Sequence, residues 1–323
     1  MKPRVYIARG LPEEVLQYLE EHCEVRQWQG TQAITNSQLA TELGDSEGLL
    51  VTGTPVGDEV LAAGKELRVI SNLSVGYNNL DIDALKRYGI TASHTPYVLD
   101  DTVADLAFAL ILSAARRVPQ MDKLVKEGRW RKGMDSVLFG VDVHHAKLGI
   151  IGMGRIGEAI ARRAKLGFEM DVAYYNRSRK PDVEEQLGIQ YNSFGELLQT
   201  SDFIVLMTPL TAQTRGLIGE AQFAMMKRSA IFINVSRGET VDEQALVRAL
   251  ESGQIYSAGL DVYEQEPVNP EHPLLKLDNV VTLPHLGSAT ANTRLQMAYV
   301  AARNLVHALT GEGETYIIPE LQP

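Results

Sequence analysis

The chain has 323 residues, of which 45% are hydrophobic and 22% charged, a composition typical of globular proteins and a length that suits two domains. Its formal net charge of −10 argues against nucleic acid as a partner, and its single cysteine cannot form an internal disulfide. No apolar stretch reaches the roughly 20 residues that span a bilayer. We therefore expect a cytoplasmic location and no membrane partner, and we predict no metal site.

Residues 1–98 alternate short apolar runs with helical patterns. Buried strands are predicted at Val5–Ala8, Leu49–Val51 and Val69–Ser71, because each run is short, apolar and bounded by glycine or polar residues. A helix is predicted around Glu13–Glu21. This alternation is typical of a parallel sheet that is covered by helices.

A second and more regular series follows. A helix is predicted from Thr102 to Arg117, since Thr102 and Asp105 have the spacing of a capping box. After a polar stretch, strands are predicted at 148–151, 171–175, 203–207, 230–235, 257–262 and 280–283. Helical segments separate most of these strands, which indicates a doubly wound sheet.

The last segment indicates how the two series are connected. A helix predicted from about Thr290 to Leu309 follows the final strand, and nothing after it continues the nucleotide-binding pattern. We expect this tail to return to the first domain. The predicted fold is α/β with two doubly wound parallel-sheet domains: a Rossmann dinucleotide-binding domain (99–286) is inserted into a flavodoxin-like substrate domain (1–98 and 287–323).

Gly152, Gly154 and Gly157 form the pattern G-x-G-x-x-G directly after an apolar strand and at the start of an amphipathic helix. The first glycine permits a tight turn, the second lets the backbone approach a pyrophosphate, and the third lets the helix pack on the strand. The amino end of the helix offers unpaired N–H groups to the anion. The pattern therefore predicts a dinucleotide site.

Cofactor choice depends on the turn about 20 residues further on, where an acid would hold the ribose 2′-hydroxyl of NAD. Asn176 stands in that place and is followed by Arg177, Ser178 and Arg179. Without a carboxylate a 2′-phosphate is not repelled, and either arginine can pair with it. The turn favours NADPH, with NADH and an ordinary solvated basic turn as the alternatives.

Arg237, Glu266 and His285 each lie in a loop after a predicted strand of the second series. Ligands of open α/β sheets bind beyond the carboxyl ends of strands, so the three side chains should face one crevice. Reduction of a 2-keto acid needs a hydride, a proton and a cation for the substrate carboxylate. His285 can donate the proton, Glu266 favours the imidazolium, and Arg237 can hold the carboxylate.

Six blocks, in matching order and spacing, resemble the D-isomer-specific 2-hydroxyacid dehydrogenase family over nearly the whole chain. The blocks are Leu73–Asn78, Thr102–Asp105, the glycine turn, Asn234–Gly238, Gly259–Pro267 and Pro284–Ser288. The resemblance implies that His285 is the acid/base, Glu266 its partner and Arg237 the cation that orients the substrate. It also implies that the loop Ser74–Gly76 binds substrate, with the amides of Val75 and Gly76 on its carboxylate.

The resemblance also implies cofactor contacts and an assembly. Asp261 would meet the nicotinamide carboxamide, and Thr102, Thr208 and Pro209 would line the cofactor. The expected cofactor-binding residues are Thr102, Gly152, Gly154, Arg155, Ile156, Gly157, Asn176, Arg177, Ser178, Thr208, Pro209, Val235, Ser236, Asp261 and Gly287. Members of the family are usually dimers joined through the nucleotide domain, so a homodimer with residues 100–143 at its interface is expected.

Within the family, the segments 142–145, 176–177 and 263–267 are most similar to glyoxylate/hydroxypyruvate reductases, including those that act on 2-ketogluconate. We therefore predict NADPH-preferring reduction of glyoxylate, hydroxypyruvate or 2-ketogluconate to D-2-hydroxy acids. Leu138 and Phe139 replace a tryptophan that shapes the partner's pocket in many such reductases, which leaves the preferred substrate size open.

Two alternatives keep the same residues. A D-lactate or phosphoglycerate type dehydrogenase is one, although no cation adjoins the Ser74–Gly76 loop to bind a substrate phosphate. A nucleotide-sensing protein similar to corepressors of this fold is the other, and the short tails offer no disordered region for recruiting partners.

Overall fold

The computed structural model describes residues 1–322, apart from the side chains of Asp135 and Val137. The strands are β1 (Arg4–Ile7), β2 (Glu24–Gln27), β3 (Gly48–Val51), β4 (Val69–Asn72), β5 (Thr91–Ser93), β6 (Lys147–Ile151), β7 (Asp171–Tyr175), β8 (Gln190–Tyr191), β9 (Phe203–Leu206), β10 (Ile231–Asn234), β11 (Ser257–Leu260) and β12 (Val280–Thr282). The helices are α1 (Glu13–His22), α2 (Asn36–Leu43), α3 (Asp58–Ala63), α4 (Ile82–Tyr88), α5 (Asp100–Arg116), α6 (Val118–Lys126), α7 (Asp135–Leu138), α8 (Arg155–Phe168), α9 (Pro181–Leu187), α10 (Phe194–Thr200), α11 (Glu220–Met225), α12 (Glu243–Glu251) and α13 (Ala291–Thr310).

The first compact unit comprises Met1–Leu99 and the segment from Ala289 onward. Its five parallel strands have the order β2-β1-β3-β4-β5, which is the flavodoxin-like order. β3 and β4 are buried along their whole length, as central strands of a parallel sheet are when helices cover both faces. The C-terminal helix α13 packs against β3 and β4, and the Ser71 hydroxyl donates to the Ala301 carbonyl at 2.7 Å.

The second unit comprises Asp100–Ser288. Its seven parallel strands have the order β12-β11-β10-β9-β6-β7-β8. β6 lies between β7 and β9, so the chain first adds strands on one side of β6 and then on the other. This is the order of a dinucleotide-binding sheet with one strand added, and its ligand site is expected at the switch point beyond β6.

The start of α5 differs from the sequence prediction. The helix begins at Asp100, so Thr102 lies in its first turn and the predicted cap at Thr102 is wrong. The carboxylate of Asp105 accepts a hydrogen bond from Arg163 Nε at 2.8 Å instead of closing a capping box. Asp100 and Asp101 place negative charge at the positive end of the helix, which favours the earlier start. Among the described helices, none combines the length and the apolar character of a membrane-spanning segment.

Candidate active site

Arg237, Glu266 and His285 follow three neighbouring strands. β10, β11 and β12 lie side by side and parallel, and each residue comes after the carboxyl end of one of them. Ligands of open α/β sheets bind at this edge. The fold thus brings the three residues that the sequence predicts to be catalytic to one edge of the second unit.

His285 and Glu266 form a hydrogen-bonded pair. His285 Nδ1 lies 2.7 Å from Glu266 Oε2. An ionised carboxylate only accepts hydrogen bonds, so Nδ1 carries the hydrogen and Nε2 is left for a reacting group. Burial raises the pKa of Glu266, but the hydrogen bond and charge of His285, the Tyr263 amide and the Arg237 charge outweigh burial and lower that pKa. Glu266 is therefore an anion at neutral pH that holds the imidazole in one orientation.

Asp261 fixes the turn that carries His285. The backbone of His285 is left-handed, with φ +54°, a conformation that costs a residue with a side chain about 1 kcal/mol or more. The Asp261 carbonyl accepts the His285 N–H at 2.9 Å, and its carboxylate accepts the N–H groups of Leu286 at 2.6 Å and Gly287 at 2.8 Å. Asp261 is 1% exposed. The structure therefore gives it a role in the His285 turn, while the contacts of Asp261 and Gly287 with the cofactor stay predictions.

Asn234 and Ser236 shape the turn that carries Arg237. Asn234 Oδ1 accepts hydrogen bonds from the Ser236 amide and hydroxyl at 3.0 and 2.8 Å, and Asn234 Nδ2 donates to the Arg237 carbonyl at 3.1 Å. Burial lowers the pKa of the Arg237 guanidinium, whereas the charges of Glu266 and Glu239 raise it. An arginine starts from a pKa above about 12, so this one stays charged and can hold a substrate carboxylate.

Each glycine of the G-x-G-x-x-G turn meets a different demand. Gly152 has φ +105°, and a Cβ there would lie 2.6 Å from a backbone oxygen. A Cβ on Gly157 would lie 2.4 Å from the carbonyl oxygen of Gly152. At Gly154, no described atom lies within 4 Å of the Cβ position, so the backbone is open to a ligand. Arg155 and Ile156 begin α8, whose amino end carries a partial positive charge that attracts an anion.

Thr208 and Pro209 follow β9, next to the glycine turn. A Cβ on Gly152 would lie 3.1 Å from the Thr208 nitrogen, so the two loops are in contact. Among the described residues, the buried Thr208 hydroxyl has no hydrogen-bond partner. Buried hydroxyl groups are usually paired, so an unpaired one here fits a site that a dinucleotide completes. Val235 is buried after β10 and Thr102 lies in the first turn of α5, and their cofactor contacts stay predictions.

The two arginines in the turn after β7 differ in their ion pairing. Arg179 donates from Nε and Nη2 to both carboxylate oxygens of Glu184, at 2.6–3.1 Å. The hydrogen bonds from Arg179 and from Tyr174 lower the pKa of Glu184 to about 2. Arg177 is exposed and forms no ion pair with any side chain that the structure describes. The two candidates for a 2′-phosphate partner are thereby narrowed to Arg177.

Hydrogen bonds hold the same turn at both ends. Asn176 Nδ2 donates to the Ser178 carbonyl at 2.9 Å. The Tyr174 hydroxyl accepts the Lys180 N–H at 2.6 Å and donates to Glu184 at 2.7 Å. The hydrogen bonds therefore fix the backbone of the exposed stretch 177–180 without a bound ligand.

In the first unit, the Ser74–Gly76 loop after β4 has its carbonyl groups paired. The pairs are Asn72 Nδ2 to Gly76 O at 2.9 Å, His94 Nδ1 to Val75 O at 3.0 Å, and Thr95 N to Ser74 O at 3.0 Å. Within the described part of the chain, the amide nitrogens of Val75 and Gly76 donate no hydrogen bond. Two adjacent unpaired N–H groups can bind a carboxylate, which is the role that the family resemblance implies.

Some residues that hold these turns in place could not be predicted from the sequence, because they lie far from the turns along the chain. Tyr174 and Glu184 are ten positions apart, and a second histidine–glutamate pair, His272 with Glu243, joins a loop to the first residue of α12. No helix or strand period connects such partners. A polar residue next to a predicted helix start, such as Glu243 after Asp242, is the only local signal that could have drawn attention to one of them.

Comparison with known proteins agrees with this geometry. Residues 108–287 match the family model for the D-isomer specific 2-hydroxyacid dehydrogenase, NAD binding domain. Glyoxylate/hydroxypyruvate reductase B from Klebsiella pneumoniae is 49% identical over 314 residues, 97% of each chain. The solved NADPH-dependent glyoxylate/hydroxypyruvate reductase from Sinorhizobium meliloti, in complex with NADP and malonate, has 32% identity and a TM-score of 0.89 over 99% of this chain and 98% of that one. A glyoxylate reductase from Paecilomyes thermophila has 32% identity and a TM-score of 0.90 over 99% of both chains.

Proposed function

This chain belongs to the D-isomer-specific 2-hydroxyacid dehydrogenase family, and is thus an NAD(P)-dependent oxidoreductase; we propose that it reduces glyoxylate and hydroxypyruvate to 2-hydroxy acids with NADPH as the preferred cofactor. The observation that carries the proposal is the 2.7 Å hydrogen bond between His285 and Glu266, whose carboxylate also interacts with the charge of the half-buried Arg237. Two relatives whose names state this activity align over 97% and 99% of this chain.

His285 is the proton donor in this proposal. When bound, the nicotinamide cofactor supplies a hydride for the substrate carbonyl carbon. The oxygen then needs a proton, and His285 Nε2 is the ring nitrogen left for it, because Nδ1 is held by Glu266. The Glu266 carboxylate balances the positive charge of the loaded imidazole. The His285–Glu266 pair can therefore donate the proton that the substrate oxygen needs when its carbon accepts the hydride.

We expect the Arg237 guanidinium and the amides of Val75 and Gly76 to orient the substrate. The guanidinium of Arg237 pairs with the substrate carboxylate and polarises its ketone, since a planar cation can hold two oxygens at once. In the first unit, the unpaired amides of Val75 and Gly76 are proposed to bind a substrate carboxylate. Neither contact depends on a large substrate, which suits glyoxylate and hydroxypyruvate, and 2-ketogluconate stays a predicted further substrate.

A substrate panel tests the activity. Purified protein is assayed for oxidation of NADPH and of NADH with glyoxylate, hydroxypyruvate, pyruvate and 2-ketogluconate. We expect the highest kcat/KM with NADPH and either of the first two acids. Turnover confined to pyruvate would favour a D-lactate type enzyme, and absence of turnover with every 2-keto acid would refute the proposal.

The NADPH preference rests on the turn after β7. Asn176 brings no charge to repel a 2′-phosphate, and Arg177 is the exposed arginine there that is not paired with Glu184. Arg177→Ala should weaken NADPH binding about 10-fold or more and leave NADH unaffected, because a charge-assisted hydrogen bond contributes about 1.5–3 kcal/mol. Arg179→Ala is the matched control, and equal effects of Arg177→Ala on both cofactors would contradict the assignment.

We also propose a homodimer joined through the second unit. Leu166 on α8 is 78% exposed, and Val118, Val125, Trp130 and Phe139 between α5 and β6 are each at least half exposed. Large apolar side chains that are exposed in one chain are the kind that a subunit interface buries. Sedimentation should give twice the 35.6 kDa mass of one chain, and Leu166→Glu should lower it. A wild-type monomer at micromolar concentration would refute the dimer.

A further inference from the structure

A second histidine–glutamate pair lies buried in the same unit. His272 Nε2 is 3.2 Å from Glu243 Oε2, and the side chains are only 17% and 9% exposed. Burial raises the pKa of Glu243, since a carboxylate away from water is costly to ionise unless it is hydrogen-bonded. No step of the proposed reaction uses this pair, so its buried polar groups need another explanation.

Glu243 is bonded to the segment that carries Glu266. Glu243 Oε1 accepts the Glu264 N–H at 2.6 Å. The preceding amide, that of Tyr263, donates to Glu266 Oε1 at 3.1 Å. The Glu266 carboxylate thus accepts a hydrogen bond from the Tyr263 amide, and the Glu243 carboxylate accepts one from the Glu264 amide. Glu243 thereby fixes the peptide against which the Glu266 side chain folds back to reach His285 with its other oxygen.

The loop that carries Arg237 packs on the same peptide. A Cβ on Gly238 would lie 1.8 Å from the Tyr263 carbonyl carbon and 2.3 Å from the Glu264 nitrogen, a contact that only glycine permits. Arg237 is the residue directly before this glycine. The Tyr263–Glu264 peptide therefore supports both the proton-donor pair and the substrate cation, and Glu243 is the side chain that anchors it.

Hydrogen bonding assigns the proton within the buried pair. The Leu274 N–H donates to His272 Nδ1 at 3.3 Å, so Nδ1 is an acceptor and Nε2 carries the hydrogen toward Glu243. Glu243 is the first residue of α12, where the helix dipole favours a negative charge. Glu264 and Glu239 are the acids whose charges act on it. Both ring nitrogens of His272 are used inside the protein, so the pair holds a geometry and does not exchange protons with substrate.

We propose that Glu243 and His272 are positioning residues for the proton-donor pair: they fix the Tyr263–Glu264 peptide so that Glu266 faces His285. The inference rests on the proposed function for its kinetic consequence only. The structural consequence, a hydrogen bond between His285 and Glu266 that depends on Glu243, holds whatever substrate the protein reduces.

The kinetic test compares the same substitution in two histidine–glutamate pairs. Glu243→Gln should lower kcat for glyoxylate between about 10- and 100-fold with the Kd of NADPH unchanged, because a small displacement of a catalytic group has effects of that size. Glu169→Gln is the control, since Glu169 lies 3.5 Å from His145 on the exposed surface, and it should keep wild-type kcat. His272→Asn retains one donor and one acceptor and should keep most of the activity that His272→Leu loses.

A second readout does not need turnover. In wild type, the Nδ1 hydrogen of His285 should give a downfield proton resonance, identified by its absence in His285→Ala. Glu243→Gln should shift or remove it in protein that is folded by circular dichroism, as should His272→Leu if Glu243→Gln does not fold. If no 2-keto acid is reduced, the proposed function fails and this resonance alone decides the inference. Folded variants with wild-type kcat and an unchanged resonance would overturn it.

Discussion

Two of the histidine–glutamate pairs that the structure describes in the second unit, His285–Glu266 and His272–Glu243, are chemically alike and differently placed. The side chains of His285 and Glu266 are 46% and 36% exposed, whereas those of His272 and Glu243 are 17% and 9% exposed. In the first pair one ring nitrogen is bonded and the other is left for a ligand. In the second pair both ring nitrogens have partners in the protein. The function of such a pair is thus decided by the ring nitrogen that the fold leaves open, and not by the residue types.

The largest effect on kcat should come from removing the His285 imidazole, whose Nε2 is left for a ligand. His285→Ala is expected to lower kcat for glyoxylate reduction about 10²–10⁴-fold, the usual contribution of a general acid. Binding of NADPH, followed by its fluorescence, should stay near the wild-type value. The comparison between the pairs fails if His272→Asn, measured in parallel, reduces kcat as strongly as His285→Ala.

A smaller effect concerns stability, to which the buried pair His272–Glu243 should contribute more than the exposed pair His145–Glu169. His272→Leu removes the partner of Glu243 Oε2 and leaves the Leu274 amide without its acceptor, which should lower the free energy of unfolding by about 1–3 kcal/mol. Glu169→Gln, in an exposed pair, should change it by less than about 0.5 kcal/mol. Urea denaturation measures both, and equal losses would contradict the contrast between buried and exposed pairs.

The smallest effect is a pH dependence of opposite sign in the two glutamates. The folded protein lowers the pKa of Glu266, so this group stabilises the fold at neutral pH and the stabilisation is lost as the pH falls through its folded pKa. The folded protein raises the pKa of Glu243, so its contribution becomes more favourable as the pH falls. The stability of wild type relative to Glu266→Gln should therefore decrease as the pH falls below 4.5, the ordinary pKa of a glutamate, and relative to Glu243→Gln it should increase as the pH falls from 7 to 4.5. Parallel trends would show that one assignment is wrong.

The central strands could be predicted from the sequence because they are buried on both faces. β7 was predicted at its observed bounds, and the other strands of the second unit that carry site loops were predicted within one or two residues. The strands at one edge of each sheet, β2 and β8, were not predicted. Their residues are largely exposed and polar, so they lack the apolar run that marks a buried parallel strand.

The catalytic residues were predictable for a different reason. Arg237, Glu266 and His285 follow predicted strands, and parallel strands bring their carboxyl ends to one edge. The residues that hold these groups in place were not predictable. The hydrogen bonds that Arg179 donates to Glu184 and that the Glu264 amide donates to Glu243 each join a loop to a helix, and no sequence pattern connects the two positions. The sequence therefore predicted the catalytic residues but not the residues that position them.

Proton donation by His285 depends most on its hydrogen bond with Glu266, and kcat for glyoxylate reduction by Glu266→Gln tests that dependence most directly. In this variant the imidazole loses the carboxylate that orients it and balances its positive charge. Since a charge-assisted hydrogen bond contributes about 1.5–3 kcal/mol, kcat should fall about 10-fold or more while the Kd of NADPH stays near the wild-type value. A folded Glu266→Gln variant with wild-type kcat would contradict the pairing as the basis of proton donation.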